Sequence, residues 1–299
     1  MLSIKLIINP NAGSVRNNFL FLNKLIRKLS QNSILTEVIY TSADKSERNM
    51  ILEKLETCDA FIVFGGDGTI NRVVTYLINA GIRKPILVIP GGTANVFALE
   101  KKLTTKIDKI IELLKGRKSV ATDIGFVEHK SGINYFLLMV GIGLDAQAIN
   151  EVDGNIKKLF GKATYLFSGV KNFMTYKPKQ ILVETATKTI KDIYTVVISN
   201  SRLYGGNIEL FPEADMHDGL LDMCAFHPKN SLEFLKTLAD IQSGKHRNSS
   251  DVYFNKIETA DISPVHDNIP FHIDGESIGF LPITVGVLKG KVDFILEGK

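Results

Sequence analysis

Ala60-Phe61-Ile62-Val63-Phe64-Gly65-Gly66-Asp67-Gly68-Thr69 is the stretch whose reading decides the fold. Five apolar residues in a row suit a buried strand. Beyond the glycines, Ile70, Val73, Val74, Leu77 and Ile78 recur at i, i+3, i+4, i+7 and i+8, one face of a helix. The motif therefore sits on a strand-to-helix turn. Its three glycines let the backbone approach a ligand closely. The helix start beyond them offers N–H groups and partial positive charge, which suit phosphate. A carboxylate among those glycines makes sense if phosphates arrive with Mg²⁺, or if a hydroxyl must be oriented.

The same alternation extends on both sides. Ile4–Ile8, Leu35–Tyr40 and Ile86–Ile89 read as further strands. Leu22, Leu25, Ile26 and Leu29 make one helical stripe; Ile107, Ile110, Ile111 and Leu114 make another, ended by Gly116 as the C′ residue. This βαβα order predicts a parallel sheet covered by helices. After about residue 120, Tyr135–Val140, Ile181–Thr185, Tyr194–Ser199 and Leu220–Phe226 predict strands with few helices between. Helices are expected near Leu159–Tyr176 and Ser231–Gln242. The expected organisation is an α/β nucleotide-binding domain over 1–120 and a mostly antiparallel β-sandwich domain over 121–283. Two final strands, Thr284–Leu288 and Val292–Leu296, finish either domain, so that 284–299 completes the first in one reading.

The chain of 299 residues, 44% hydrophobic and 23% charged, is long enough for two domains with sizeable cores. A net charge of +4 suits an anionic substrate or membrane surface without demanding nucleic acid, and none is expected as a partner. Cys58 and Cys224 form neither a metal spacing nor a disulfide framework, so a reduced, cytoplasmic setting is expected. Met1-Leu2-Ser3-Ile4-Lys5 opens into a strand pattern rather than a secretory leader, and no stretch approaches a membrane span.

Four turns fall at carboxyl ends of first-domain strands, where open α/β sheets bind ligands: Asn9-Pro10-Asn11-Ala12-Gly13, Thr41-Ser42, Gly65–Thr69, and Pro90-Gly91-Gly92-Thr93-Ala94-Asn95. Any one of them is a plain turn by composition; four on one sheet edge favour a nucleotide site. The Walker-type and protein-kinase signatures are absent. Gly141-Ile142-Gly143-Leu144-Asp145-Ala146 fits G-x-G-x-x-A, but Lys157-Lys158-Leu159-Phe160 stands where a dinucleotide fold would need its second strand, so tight-turn glycines are the reading. Asp215-Met216-His217-Asp218-Gly219-Leu220-Leu221-Asp222 is open to a turn or a metal site. His272-Ile273-Asp274-Gly275-Glu276 is open to a hairpin turn or a general base that orients an alcohol attacking a phosphoryl group. The six histidines show no ligand spacing and read as surface or structural residues.

Taken together these residues resemble the diacylglycerol kinase catalytic domain, closest to bacterial lipid kinases related to sphingosine and ceramide kinases. Gly65–Thr69 with Asn71, then Pro90–Asn95, carry the likeness first. Asp123-Ile124-Gly125, Gly141–Ala146, Asn200, Gly205-Gly206, Pro212, Ala214, Asp218-Gly219 with Leu221-Asp222, and Asp274-Gly275-Glu276 continue it in order over nearly the whole chain. NAD kinases and phosphofructokinases share only the Gly-Gly-Asp-Gly part and the first-domain fold. The resemblance implies an ATP-dependent lipid kinase with ATP and Mg²⁺ in a cleft between two domains. By position, Asn9, Pro10, Asn11, Ala12, Gly13, Thr41, Gly65, Gly66, Asp67, Gly68, Thr69 and Thr93 would contact ATP, with Asn71, Arg72 and Asn95 beside them. The base role would fall to Asp274 or Glu276. Asp218 would hold a structural Mg²⁺ with backbone oxygens near Asp215 and Leu220, and Asp67 and Asp123 would join an acidic network around the phosphates. Two departures stand out: Arg72 where the family usually has Glu, and Val96 where it often has Asp.

The stretch 157–179 interleaves lysines with Leu159, Phe160, Tyr165, Leu166, Phe167, Phe173 and Met174. It reads either as a basic amphipathic helix on an anionic lipid surface or as a helix packed on the β domain. The expected partner is a lipid substrate met by peripheral contact with the inner membrane face, and a homodimer is compatible with the sequence. A kinase for a soluble acceptor such as NAD, and a nucleotide- or lipid-binding relative without turnover, are the alternatives.

Overall fold

The computed structural model describes residues 1–16, 18–143, 146, 179–227, 233, 236, 240, 244, 252–266 and 268–297. The chain forms two compact units, Met1–Thr122 with Gly290–Lys299, and Asp123–Lys289.

In the first unit β1 (Leu2–Ile8), β2 (Ile34–Tyr40), β3 (Ala60–Gly65) and β4 (Ile86–Pro90) form a parallel sheet in the order β2-β1-β3-β4. The short α1 (Gly13–Arg16), α2 (Phe19–Gln31), α3 (Glu47–Leu52), a 3₁₀ turn at Leu55–Thr57, α4 (Asp67–Asn79), α5 (Val96–Glu100) and α6 (Ile107–Gly116) make the connections. Side chains alternate across a strand. Ile4, Leu6, Ile8, Ile62, Phe64, Leu87 and Ile89 share a core with Leu22, Leu25 and Leu29 of α2 and Ile107, Ile110, Ile111 and Leu114 of α6. The alternate residues Ile7, Phe61, Val63 and Val88 are also buried, so the sheet is apolar on both faces, as a parallel sheet demands. At the end of α6 the left-handed residue is Arg117 (φ 50°), not Gly116, which stays in the last helical turn. The Arg117 guanidinium lies 3.4 Å from Asp59, an ion pair that accompanies the unfavourable backbone.

The second unit stacks two sheets. Its strands are β5 (Ser119–His129, entering from the first unit), β6 (Gly132–Phe136), β7 (Met139–Gly143), β8 (Ile181–Thr185), β9 (Thr189–Ile193), β10 (Thr195–Ser199), β11 (Leu203–Tyr204), β12 (Ile208–Glu209), β13 (Leu221–Phe226), β14 (Val252–Ile257), β15 (Thr259–Pro264), β16 (Pro270–Ile273), β17 (Glu276–Phe280) and β18 (Ile283–Ile295). One antiparallel sheet runs β14-β13-β10-β7-β16-β17. In the other, β15 lies between β8 and β18, β9 follows β8, and β5 pairs with β6 and β18. Val140, Ile142, Val196, Ile198, Met223 and Phe271 of the first sheet meet Val127, Phe136, Val183, Ile262 and Val285 of the second in one core.

Two strand expectations change. The run Tyr135–Val140 is split between β6 and β7. The two final strands are one, β18: its start pairs antiparallel with β15, and Phe294 pairs parallel with Ile86 of β4. Glu233, Lys236 and Asp240 are helical, within the expected Ser231–Gln242 helix, whose other residues lie outside those described. The Leu159–Tyr176 helix also lies outside them. Among the described residues no helix is long and apolar enough to cross a membrane.

Lys5 is a charged residue inside the first sheet, 3% exposed. Its ammonium donates to the carbonyls of Met50 (2.6 Å), Ile51 (3.3 Å) and Glu53, the unpaired end of α3, with Glu37 at 3.6 Å. Lys5→Met would strand those carbonyls, and we expect a loss of about 1–3 kcal/mol, read as a lower urea midpoint with unchanged slope.

Candidate functional site

The four turns come together at the carboxyl edge of the first sheet. Asn9 N–H donates to the Phe64 carbonyl (3.1 Å), and its side-chain amide donates to Thr69 Oγ1 (2.9 Å). Ser14 bonds the Gly91 carbonyl through its N–H (3.0 Å) and its hydroxyl (2.9 Å), and Gly91 N–H donates to the Gly65 carbonyl (2.8 Å). Thr41 N–H donates to the Ile8 carbonyl (2.8 Å). The glycines are required by contact. A Cβ on Gly92 would lie 2.5 Å from Gly66 Cα, and one on Gly65 would lie 2.6 Å from Thr69 Cβ. A Cβ on Gly13 would meet Thr93 Oγ1 at 3.4 Å, which puts the first turn beside the last. Pro10, Asn11, Gly13, Gly68 and Thr93 are exposed; Ala12, Thr41 and Thr69 are buried.

Several expected nucleotide contacts are engaged in holding turns. Asp67 opens α4, and its carboxylate accepts the N–H groups of Val96 (2.9 Å) and Phe97 (3.0 Å) at the start of α5. Burial raises its pKa above the ordinary 3.8, and the two backbone bonds only partly offset this. Asn95 closes its own turn, with Oδ1 accepting from Gly92 N–H and Nδ2 donating to the Gly92 carbonyl, both at 2.7 Å. Asn71 is half-buried on α4. Arg72 turns to the loop after β2: its guanidinium donates to the Ser42 carbonyl (2.9 Å) and to the buried Glu47 (3.3 Å). For Glu47, burial alone would raise the pKa. Bonds from Ser42, its own backbone and Arg72 outweigh that and hold it below its ordinary value.

In the second unit Asp274 and Gly275 form the two-residue turn between β16 and β17, both with positive φ (48° and 85°). An Asp-Gly pair suits that geometry. The Asp274 carboxylate accepts three backbone N–H bonds, from Leu137 (3.0 Å), Leu138 (3.1 Å) and Met139 (2.8 Å). These bonds fall at the break between β6 and β7. Glu276 opens β17 and is exposed. The buried Asp123 accepts from Gly219 N–H (2.7 Å), and its carbonyl accepts from Asn200 Nδ2 (2.7 Å). A Cβ on Gly143 (φ 84°) would lie 2.4 Å from the Tyr194 carbonyl, a close strand approach rather than a dinucleotide turn.

The expected metal set Asp215, Asp218 and Leu220 lies in one loop before β13. There Asp218 Oδ1 accepts from Leu220 N–H (2.9 Å), and Asp218 N–H donates to the Asp215 carbonyl (3.4 Å). Asp218 Oδ2 is taken by the Lys256 ammonium at 2.6 Å. Among the described residues no group of three or more His, Cys, Asp or Glu is arranged to hold a metal. As folded, these donors do not fit a divalent ion.

Sequence reasoning missed Lys256, Glu47 and the Leu137–Met139 amides. None sits in a motif, and each reaches its partner across a distance in sequence that no local pattern signals. The basic stretch 157–179 lies outside the described residues except Lys179, which donates to the Asn268 carbonyl (3.2 Å).

Known proteins are similar to this chain. Residues 3–127 match the diacylglycerol kinase catalytic domain, and residues 138–296 match the YegS C-terminal NAD kinase beta sandwich-like domain. The chain is 27% identical over 289 residues to a diacylglycerol kinase of Bacillus subtilis, covering 93% of this chain and 91% of that one. It is 30% identical over 237 residues to a "Probable lipid kinase YegS-like" protein of Yersinia enterocolitica, covering 78% and 77%. A solved structure from Bacillus anthracis str. Sterne bearing the diacylglycerol kinase name shares the fold, with a TM-score of 0.80 at 23% identity over 99% of this chain and 95% of that one. The chain belongs to the diacylglycerol kinase catalytic-domain family, with the YegS-type β-sandwich as its second part.

Gly92→Ala must push the two glycine turns apart. We expect a loss of about 1–3 kcal/mol in urea unfolding. A second test concerns Asp67. Its folded pKa is raised, so its contribution to stability is present below 3.8 and is lost as pH rises through the higher folded value. The stability of wild type relative to Asp67→Asn should therefore fall across that acidic window and level off above it.

Proposed function

We propose that this chain is a lipid kinase that transfers the γ-phosphoryl group of ATP to the hydroxyl of a lipid such as diacylglycerol. One observation carries the reading. In a chain of this family, the Gly65-Gly66 and Gly91-Gly92 turns meet at the carboxyl edge of a parallel sheet, at the start of the 13-residue helix α4. Backbone bare of side chains and the positive end of a helix suit phosphate oxygens. The exposed Thr93 hydroxyl and the Asn9–Gly13 turn lie beside them and would contact the nucleotide. Mg²⁺ arriving with ATP would screen charge on the transferred group. Asp67 acts by position, since its carboxylate joins the α4 turn to the start of α5.

The acceptor hydroxyl must be oriented and relieved of its proton. Three N–H bonds commit the Asp274 carboxylate to shaping its turn. Glu276, exposed at the first residue of β17, is the group we assign to the hydroxyl. Arg72, bound to Ser42 and Glu47, fixes the loop that carries Thr41.

The test is incubation with labelled ATP and total membrane lipid, with mass identification of the labelled product, beside a coupled assay with NAD. A labelled lipid supports the reading. Labelled NAD alone would move the chain to soluble acceptors, and nucleotide binding with no product from either would make it a binding relative. Glu276→Gln should lower kcat by about 10²–10⁴-fold with unchanged thermal unfolding. Asp274→Asn should lower both kcat and stability. A Glu276→Gln enzyme with wild-type kcat would remove Glu276 from the reaction.

A further inference from the structure

We propose that the Lys256 ammonium is the resident cation of the acidic loop before β13, standing where the family likeness leads one to expect a structural Mg²⁺. The placement is set by strand register. Lys256 on β14 pairs directly with Asp222 on β13, so the two side chains share a face of the sheet. The ammonium lies 2.6 Å from Asp218 Oδ2 and 3.4 Å from Asp222 Oδ2, and it donates to the Glu213 carbonyl at 3.2 Å. An ammonium has three N–H donors, and three oxygens receive them here. The other Asp218 oxygen already accepts from Leu220 N–H. Mg²⁺ needs near-octahedral oxygen ligation and gives up water reluctantly. It would have to displace or face a positive charge already bonded to its principal carboxylate, and like charges at this range repel strongly. The loop therefore obtains by a side chain, permanently and without dependence on ion concentration, the charge neutralisation that a bound metal would supply. The second unit should then fold and stay folded in chelator.

The experiment uses the full chain without nucleotide and reads metal binding directly, so it is independent of whether the kinase reading holds. Mn²⁺ is titrated and followed by the loss of its free-ion EPR signal. Wild type and Asp218→Asn should bind Mn²⁺ alike, and the wild-type thermal midpoint should be the same in EDTA and in excess Mg²⁺. Lys256→Met should gain one Mn²⁺ site that wild type lacks, roughly a hundredfold tighter than the residual binding of wild type, with a midpoint that rises with Mg²⁺. Adding Asp218→Asn to Lys256→Met should abolish that site. Lys256→Gln serves where the methionine variant does not fold. A stoichiometric wild-type Mn²⁺ site lost in Asp218→Asn would overturn the proposal. So would a folded Lys256→Met or Lys256→Gln protein that gains no site.

Discussion

The first unit depends on one close approach. Gly66 and Gly92 pass so near each other that a single added methyl group would sit 2.5 Å from a neighbouring Cα. Strands β3 and β4 are adjacent and parallel, so their outgoing turns leave the same edge side by side. Any side chain there would wedge the turns apart. With glycine in both, the backbones can touch, and Gly91 N–H bonds the Gly65 carbonyl. The apolar strands below hold the turns at that spacing, and Asn9, Ser14 and Asn95 complete the hydrogen bonding around them.

A second pattern runs through both units: a carboxylate used as a staple between backbone segments distant in sequence. Asp67 joins the turn after β3 to the start of α5, Asp123 joins β5 to Gly219, and Asp274 joins the β16–β17 turn to the end of β6. A carboxylate has lone pairs enough to accept several N–H groups at once, and charge-assisted bonds are stronger than neutral ones. The cost is burial of charge, visible in the raised pKa of Asp67. At Lys256 the roles are reversed, and a cation collects oxygens from three residues.

The four parallel strands and the helices α2, α4 and α6 were legible because apolar runs and helical stripes were bounded by Gly, Asn and Pro. What escaped was set by distant partners. Tyr135–Val140 is apolar enough for one strand, and it breaks because Asp274 captures amides 135–137 positions away in sequence. Residues 284–296 looked like two strands around Gly290, yet the left-handed glycine (φ 52°) leaves β18 continuous. Gly116 was the obvious helix stop by composition, but Arg117 takes the left-handed position beside Asp59. The residue types of the glycine turns could be read from the sequence. What Arg72 and Asp218 bond to could not, since Glu47 and Lys256 lie in segments without any motif.

Four Asp-Gly pairs stand in the sequence, the aspartyl dipeptide most given to slow isomerisation, and three of them, at Asp67, Asp218 and Asp274, lie in the turns described above. The reaction begins when the glycine amide nitrogen attacks the aspartyl side-chain carbon to form a succinimide. It needs a side chain free to swing back over its own backbone. In all three turns the carboxylate is instead anchored to other residues' N–H groups or to a lysine. The bonds that shape these three turns thus also shield them from isoaspartate formation, and in folding they protect the covalent chain at those sites.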